Sequence, residues 1–337
     1  MKQLLKYLNI LVPFALAIGI LWWMYRGTDW REMLRCVTDD VHWGWMTLSL
    51  AFGVVPLTFR ALRWRMALRP MGEDASTRLC TDAIFLSYAA SLVIPRIGEV
   101  TRCGTLKKYG GISFTKSLGT VVTERVIDSA LMILIAVIAF VGQLPMFKQF
   151  LEETGFDVHA FIHRFTSTGW WVTIICCVAA VAFLYILLSR LRLFRQINER
   201  MQGFVDGLVS LRKVHNLPLY LLYSVGIWAG YYLHFYLAFF AFDFTSGIDP
   251  LAGLLIFCVG SFAVLVPTPN GAGPWHFAVK TMLVLYGIAE QPAVLFAFVV
   301  HTIQTALVVL LGAVGWADLA MMPTVKYVPQ HDEKVTE

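Results

Sequence analysis

Long apolar runs alternate with short polar stretches along most of this chain. Runs of roughly 18 or more apolar residues are long enough to cross a bilayer as helices. We predict about six full spans, placed near 8–25, 45–62, 118–141, 170–188, 217–242 and 292–321. Two further apolar stretches, 81–106 and 251–288, are each interrupted by proline. The pattern predicts an all-α polytopic membrane protein.

The two interrupted stretches predict broken helical hairpins. Pro95 divides the first stretch into 81–94 and 97–106, and the segment PTPNGAGP at 267–274 divides the second. Each piece is shorter than the roughly 20 residues that a helix needs to cross about 30 Å of hydrocarbon. Non-helical backbone is tolerated at membrane depth where it is buried in protein or lines a cavity. We therefore expect re-entrant hairpins, with pairs of full, tilted spans as the alternative.

The order of these elements predicts an inverted repeat. The halves, about 1–142 and 168–322, each contain a span, a span, a broken hairpin and a span. Paired interruptions in two oppositely oriented halves point to a transporter's binding site near the bilayer midplane. We treat 1–325 as one transmembrane domain and expect the polar tail 326–337 to be disordered and cytoplasmic.

Composition agrees with the membrane class, because 58% of residues are hydrophobic and only 15% are charged. The net charge of +5 is mild, and we expect no nucleic-acid partner. The positive-inside rule places the basic stretches and both chain termini in the cytoplasm. These stretches contain Arg60, Arg63, Arg65, Arg69 and Arg78, and later Arg190, Arg192, Arg195, Arg200, Arg212 and Lys213.

Two segments between spans have the spacing of amphipathic helices. Apolar residues recur at steps of three and four over 190–216, which favours an interfacial helix on the inner leaflet or a helix packed against the bundle. The aromatic-rich segment 143–167 predicts a helix on the outer surface.

Charged residues follow the first break. Arg96, Glu99 and Arg102 come directly after Pro95. Arginine presents five donors in a planar fork that suits phosphate, and a helix that restarts after the break would also favour an anion. Glu99 and Arg102 are three residues apart, and we expect them to pair. The alternative is a salt bridge that only fixes the hairpin at the cytoplasmic face.

Three more charged residues, Glu124, Arg125 and Asp128, lie inside the third span. Ionised groups in a bilayer are costly unless they face the protein interior or a water-filled cavity. The spacing predicts a pair between Arg125 and Asp128, with Arg96 or Arg102 neutralising the remaining acid. This network is either a gate that a lipid phosphate opens by competing for the arginines, or a permanent structural feature.

The second break carries polar candidates of its own. Asn270 lies in its glycine-rich turn, His276 begins the following helix, and Lys280 lies one turn later. His276 could bind a headgroup or take up a proton, or it could simply cap the helix. For His234, His301 and Gln304, helix–helix hydrogen bonding is the first expectation. The eight histidines are scattered and the six cysteines form no CxxC pair, so we expect no metal, cofactor or disulfide.

Three ordered motifs carry a family resemblance. The patterns P-R-x-G-E-x-x-R at 95–102, E-R-x-x-D at 124–128 and P-T-P-x-G-x-G at 267–273 resemble the lysylphosphatidylglycerol synthase transmembrane-region family. That family includes the flippase half of the bacterial multiple peptide resistance factor, and the resemblance covers nearly the whole chain. It implies a bacterial cytoplasmic-membrane protein related to lipid translocators. The matching site residues are Arg96, Glu99, Arg102, Glu124, Arg125 and Asp128.

The chain departs from the family pattern at two positions. Asn270 stands where glycine is usual, and His276 stands where many members have glutamate. The second departure leaves substrate charge and proton coupling open at that position. The aminoacyl-transferring domain of the fused members is absent from the sequence, so we expect no lipid aminoacylation by this chain.

Together these features predict a flippase-like protein that moves or binds an anionic lipid through a central polar cavity. The expected partners are membrane lipids, either phospholipids or polyprenyl-phosphate lipids, with a homo-oligomer or a lipid synthase as further partners. We expect no enzymatic activity. The alternatives are a membrane enzyme that uses Glu124 or Asp128 as a general base, and a scaffold for a lipid-modifying partner.

Overall fold

The computed structural model describes residues 2–27, 31, 35, 41–145, 214 and 216–325, with side chains from residue 14 onward. Within these residues the regular elements are helices. They are α1 (Lys2–Tyr25), α2 (Trp43–Leu68), α3 (Thr77–Val93), α4 (Gly98–Gly110), α5 (Phe114–Gly142), α6 (Leu217–Leu237), α7 (Pro250–Ala263), α8 (Pro274–Leu285) and α9 (Glu290–Ala320). The predicted span 170–188 and tail 326–337 lie outside the described residues, as do nearly all of the segments 143–167 and 190–216.

Three of these helices, α2, α5 and α9, are long and apolar enough to cross a membrane. One face of α5 is lined by aliphatic side chains that are more than half exposed, as expected for a surface in contact with lipid. They are Ile133, Leu134, Val137, Ile138 and Val141. Exposed tryptophans, which are typical of the membrane interface, lie near the ends of α1, α2 and α9. The all-α membrane class is thus confirmed.

Helix α2 is longer than the predicted span 45–62, because it continues beyond residue 62 and ends at Leu68. Pro56 lies inside the helix and does not end it. The extension carries Arg60 and Arg63, which the sequence analysis assigned to a cytoplasmic basic stretch. Their place in a loop after the span was wrong, since both lie within α2 and are buried in the helix bundle. They lie three residues apart on one face of α2, and a single buried acid on α5, Asp128, accepts a hydrogen bond from each.

Both interrupted stretches form helical hairpins, α3–α4 and α7–α8. Ser76 caps α3 by accepting the Leu79 amide, and Asp249 caps α7 by accepting the amides of Leu251 and Ala252. Gly98 begins α4 against α3, where an added Cβ would overlap Ser87 O and Ser91 Oγ. Whether each hairpin is re-entrant remains a prediction.

The hairpins pack on the long helices of the opposite half of the sequence. Helix α3 packs along α9, α7 packs against α5, and α6 runs along α2. Gly312 of α9 lies so close to Ala89 of α3 that a Cβ at position 312 would overlap it. Small residues at such crossings let helix backbones approach closely in membranes. This packing brings the two hairpin breaks together.

Candidate functional site: a polar cavity between the two hairpin breaks

A cavity of about 290 Å³ lies where the two hairpin breaks meet. The first break contributes Pro95 and Arg96, and the second contributes residues 266–268, 270 and 271. Helices α2, α3, α4 and α5 complete the wall. Their polar contributions are Arg60, Ser87, Tyr88, Ser91, Glu99, Arg102 and Arg125. The volume is near the lower end for small-molecule sites, which suits a headgroup better than a whole lipid.

The two breaks share a backbone conformation. Arg96 has φ of 64° and Asn270 has φ of 51°, and among the described residues these are the non-glycine residues with positive φ. Each follows a proline directly, Pro95 or Pro269. A non-glycine residue in this region costs about 1–3 kcal/mol, and such strain clusters at functional sites. Both residues line the cavity, so the strained positions and the candidate site coincide.

One hydrogen bond joins the two breaks directly. Arg96 Nη2 donates to the backbone oxygen of Leu265 at 3.2 Å. The second break is also fixed on α9, where Asn270 Nδ2 donates to Thr305 Oγ1 at 2.6 Å. In the same place His301 Nε2 lies 3.1 Å from the backbone oxygen of Asn270. The side chain of Asn270 thus acts in holding the break as well as in lining the cavity.

Behind the cavity wall lies a buried ion network. Asp128 accepts from two arginines of α2: Arg60 Nη1 to Oδ2 at 2.9 Å and Arg63 Nη1 to Oδ1 at 2.7 Å. Glu124 Oε2 accepts from Arg102 Nη1 at 2.8 Å, and Glu124 Oε1 lies 3.9 Å from Arg63 Nε. All five side chains are at most 6% exposed, so solvent screens these pairs little.

Aromatic and hydroxyl groups support the buried arginines. The Arg102 guanidinium lies 4.7 Å from the centre of the Trp64 ring, and the Arg63 guanidinium lies 5.6 Å from that of Tyr220. These distances are within the range of cation–π attraction. Arg63 Nη1 also donates to Ser224 Oγ at 3.0 Å. Helices α2 and α6 therefore hold the arginines of the network in place.

The ion pairs differ from those that the sequence predicted. Glu99 pairs with Arg125 at 2.8 Å, and Arg102 pairs with Glu124, so the expected pair of Glu99 with Arg102 was wrong. The expected pair of Arg125 with Asp128 was also wrong, because Asp128 faces α2. Spacing within one helix cannot report how α4 and α5 face each other, and that packing selects the partners.

Arg96 and Arg102 were the two arginines expected to neutralise the remaining acid of the third span. In the structure Arg102 does so and Arg96 does not. Arg102 reaches Glu124 across the α4–α5 contact. The guanidinium of Arg96 instead binds a backbone oxygen of the second break. Arg96 therefore keeps a positive charge at the cavity.

Besides Glu124 and Asp128, two sequence candidates lie outside the residues that line the cavity, His276 and Lys280. His276 is buried, and its Nδ1 accepts the Gly273 amide at 3.3 Å, as a helix cap does. Its ring centre is 4.3 Å from that of His301. Lys280 forms an ion pair with Glu290 at the start of α9.

The sequence analysis missed four residues near the site. Arg60 and Arg63 were not recognised because they lie at the end of the predicted span 45–62. A predicted helix that continued to residue 68 would have placed both on one helical face. Tyr88 lines the cavity, and its hydroxyl lies 2.5 Å from that of Tyr231. No spacing signal marked these tyrosines in advance.

Within the part of the chain that the structure describes, no group of three or more His, Cys, Asp or Glu residues is arranged to hold a metal ion. Cys80, Cys103 and Cys258 are buried and unoxidised. They pack as small apolar residues in the core.

Comparison with known proteins places this chain in a family. A UPF0104 membrane protein of Methanocaldococcus jannaschii is 27% identical over 235 residues, which is 67% of this chain and 92% of that protein. The glycosyltransferase AglD of Haloferax volcanii is 28% identical over 134 residues, which is 40% of this chain and 20% of that protein. No solved structure matches the chain. The family described as "Lysylphosphatidylglycerol synthase TM region" matches residues 10–312, and the chain therefore belongs to that family, as its three motifs predicted.

Proposed function

We propose that this protein is a flippase-like transporter that binds an anionic lipid headgroup in the cavity between the two hairpin breaks. The observation that carries the proposal is the charge of this cavity. Four arginines line it (Arg60, Arg96, Arg102 and Arg125), against one carboxylate, Glu99. A positive cavity inside an apolar bundle is a costly feature unless it serves an anion. The acyl chains would remain outside in the bilayer.

We also propose that the chain is an inverted repeat, as transporters with midplane sites commonly are. The packing supports this. If α3–α4 and α5 are exchanged with α7–α8 and α9, the contact of α3 with α9 becomes that of α7 with α5, and both contacts are present. The α2–α6 contact maps onto itself under the same exchange. The shared left-handed conformation of Arg96 and Asn270 supports the same relation.

The ion pairs fall into two sets, a buried set that stays paired and an exposed set that a ligand can displace. We propose that the exposed set acts as the gate. The buried pairs of Arg60, Arg63 and Asp128 hold α2 on α5 and act as a scaffold. The Glu99–Arg125 pair is 41% and 47% exposed, and exposed pairs contribute little to stability. A headgroup phosphate would compete for Arg125 and Arg96 without unfolding the bundle.

Two alternatives are less well supported. The name of AglD is that of an enzyme, but Glu124 and Asp128, the proposed bases, face buried arginines and lie outside the cavity lining. A scaffold for a lipid-modifying partner, or a homo-oligomer, has no observation of its own that favours it. We place the protein in the bacterial inner membrane with both termini cytoplasmic, and its lipid among phospholipids or polyprenyl-phosphate lipids.

The experiment is a translocation assay with the full chain in liposomes. Labelled anionic lipid is placed in one leaflet, and its appearance in the other leaflet is followed by a membrane-impermeant quencher. We expect transport above protein-free liposomes and a marked loss with Arg96→Gln. The matched control is Arg69→Gln, an exposed arginine outside the cavity, which should transport as the natural protein does. Equal rates with and without protein would refute the proposal.

A further inference from the structure

The charges around the cavity do not balance. Five arginines meet three carboxylates in the described part of the site and its supporting network, which leaves an excess of two positive charges. The cations are Arg60, Arg63, Arg96, Arg102 and Arg125, and the acids are Glu99, Glu124 and Asp128.

The excess lies at Arg96 and at the pair of Arg60 and Arg63, which share the carboxylate of Asp128. Arg63 shares Asp128 with Arg60, and its other acidic neighbour, Glu124, already accepts from Arg102. The Arg63 side chain is fully buried, where an uncompensated charge is costly. Arg96 has a carbonyl as its partner, which offers no opposite charge.

Buried donors at the cavity also lack acceptors. Arg102 Nη2 and Arg60 Nε form no hydrogen bond to any described residue. Both residues line the cavity and are at most 3% exposed. Arg63 Nε and Nη2 and the acceptor Glu124 Oε1 are likewise without a hydrogen bond to the described residues. The network therefore uses only part of its hydrogen-bonding capacity, and the positive charge of its arginines is incompletely compensated next to the cavity.

We infer that the cavity takes a phosphomonoester headgroup, a dianion, in preference to a phosphodiester. This inference rests on the proposed function and names its substrate class. A phosphomonoester carries about −1.5 to −2 charges at pH 7 and three acceptor oxygens. One charge pairs with Arg96 in the cavity, and the second offsets the charge that Arg60 and Arg63 share, since Arg60 lines the cavity. A phosphodiester supplies a single charge and two free oxygens, and a zwitterionic headgroup supplies no net charge.

The test compares lipids with the same acyl chains and different headgroups. The full chain is embedded in phosphatidylcholine nanodiscs, and the binding of phosphatidic acid and of phosphatidylglycerol is measured by native mass spectrometry. We expect phosphatidic acid to bind on the order of tenfold more tightly than phosphatidylglycerol, because its headgroup forms one more charge pair at close range. Competition with inorganic phosphate shows whether the cavity binds the phosphate group of a lipid or free phosphate.

Variants localise the preference. Arg96→Gln removes one excess charge at an exposed position, and the preference for phosphatidic acid should fall to near parity with phosphatidylglycerol. Arg63→Gln removes the buried excess charge and should reduce the preference in the same direction. Arg63→Lys keeps that charge and should retain it, which separates charge from packing. The control Arg69→Gln should leave the preference unchanged.

The outcomes distinguish this inference from the proposed function. Equal binding of both lipids, together with normal transport of phosphatidylglycerol, would overturn the dianion preference and leave the transporter intact. Binding of inorganic phosphate with no binding or transport of any lipid would support the phosphate chemistry and refute the lipid transporter. A preference that survives both Arg96→Gln and Arg63→Gln would also overturn the inference.

Discussion

Arg102 of α4 donates to Glu124 of α5 at 2.8 Å in a place that solvent does not reach. This contact joins the first broken hairpin to the long helix that follows it. Removing one partner of a buried ion pair leaves an unpaired charge, which costs about 3–5 kcal/mol. We predict that Glu124→Gln lowers the unfolding temperature markedly, measured by tryptophan fluorescence during heating in detergent.

The control for this variant is Glu290→Gln, which breaks the pair with Lys280 at an exposed carboxylate. Exposed pairs contribute at most about 1 kcal/mol, so its unfolding temperature should hardly change. Similar shifts in the two variants would contradict the buried-pair interpretation.

Glu99 is the carboxylate that lines the cavity, and its Oε1 lies 2.8 Å from Arg125 Nε. Glu99→Gln removes a negative charge from the wall and releases Arg125. We therefore predict tighter binding of anionic lipid with little change in stability, since the pair is substantially exposed. Lipid titration in nanodiscs measures the affinity. Weaker binding in this variant would show that Glu99 contacts the headgroup rather than restrains the arginine.

Asn270 holds a positive φ and donates to Thr305. Asn270→Gly and Asn270→Ala both lose this hydrogen bond, but only glycine tolerates the backbone without strain. We predict that the alanine variant is less stable than the glycine variant by about 1 kcal/mol, from thermal unfolding in detergent. Equal stability of the two variants would mean that the break relaxes to another conformation.

Gly312 lies against Ala89 at the crossing of α9 and α3. Gly312→Ala should separate these helices and lower both stability and transport. Gly119→Ala is the matched control, because Gly119 is also helical and has open space around it. Replacing that glycine should stabilise α5 by up to about 1 kcal/mol. If both variants are stabilised, the close helix approach is not required.

The sequence predicted the features that depend on segment length and local chemistry. Apolar runs located α2, α5 and α9, the described helices that are long and apolar enough to cross a membrane, and Pro95 and the proline-rich segment at 267–274 located both breaks. Of the nine site candidates, five line the cavity, and Glu124 and Asp128 support it from behind. The five are Arg96, Glu99, Arg102, Arg125 and Asn270.

What the sequence could not predict depends on how distant helices face each other. Asp128 is 68 residues from Arg60 and 65 from Arg63, so no local spacing connects them. The positive-inside rule predicted that both arginines belong to a cytoplasmic basic stretch, because they lie at the end of an apolar run. Only the packing of α2 on α5 shows that both arginines pair with Asp128 inside the bundle.

The link between the two breaks joins an arginine side chain to a main-chain oxygen. Every amino acid carries that oxygen, so the side chain at position 265 has no part in the link. The Leu265 residue itself is 63% exposed. Position 265 is therefore free to change in evolution to suit the surrounding lipid, whereas this hydrogen bond between the two breaks depends on the side chain of Arg96.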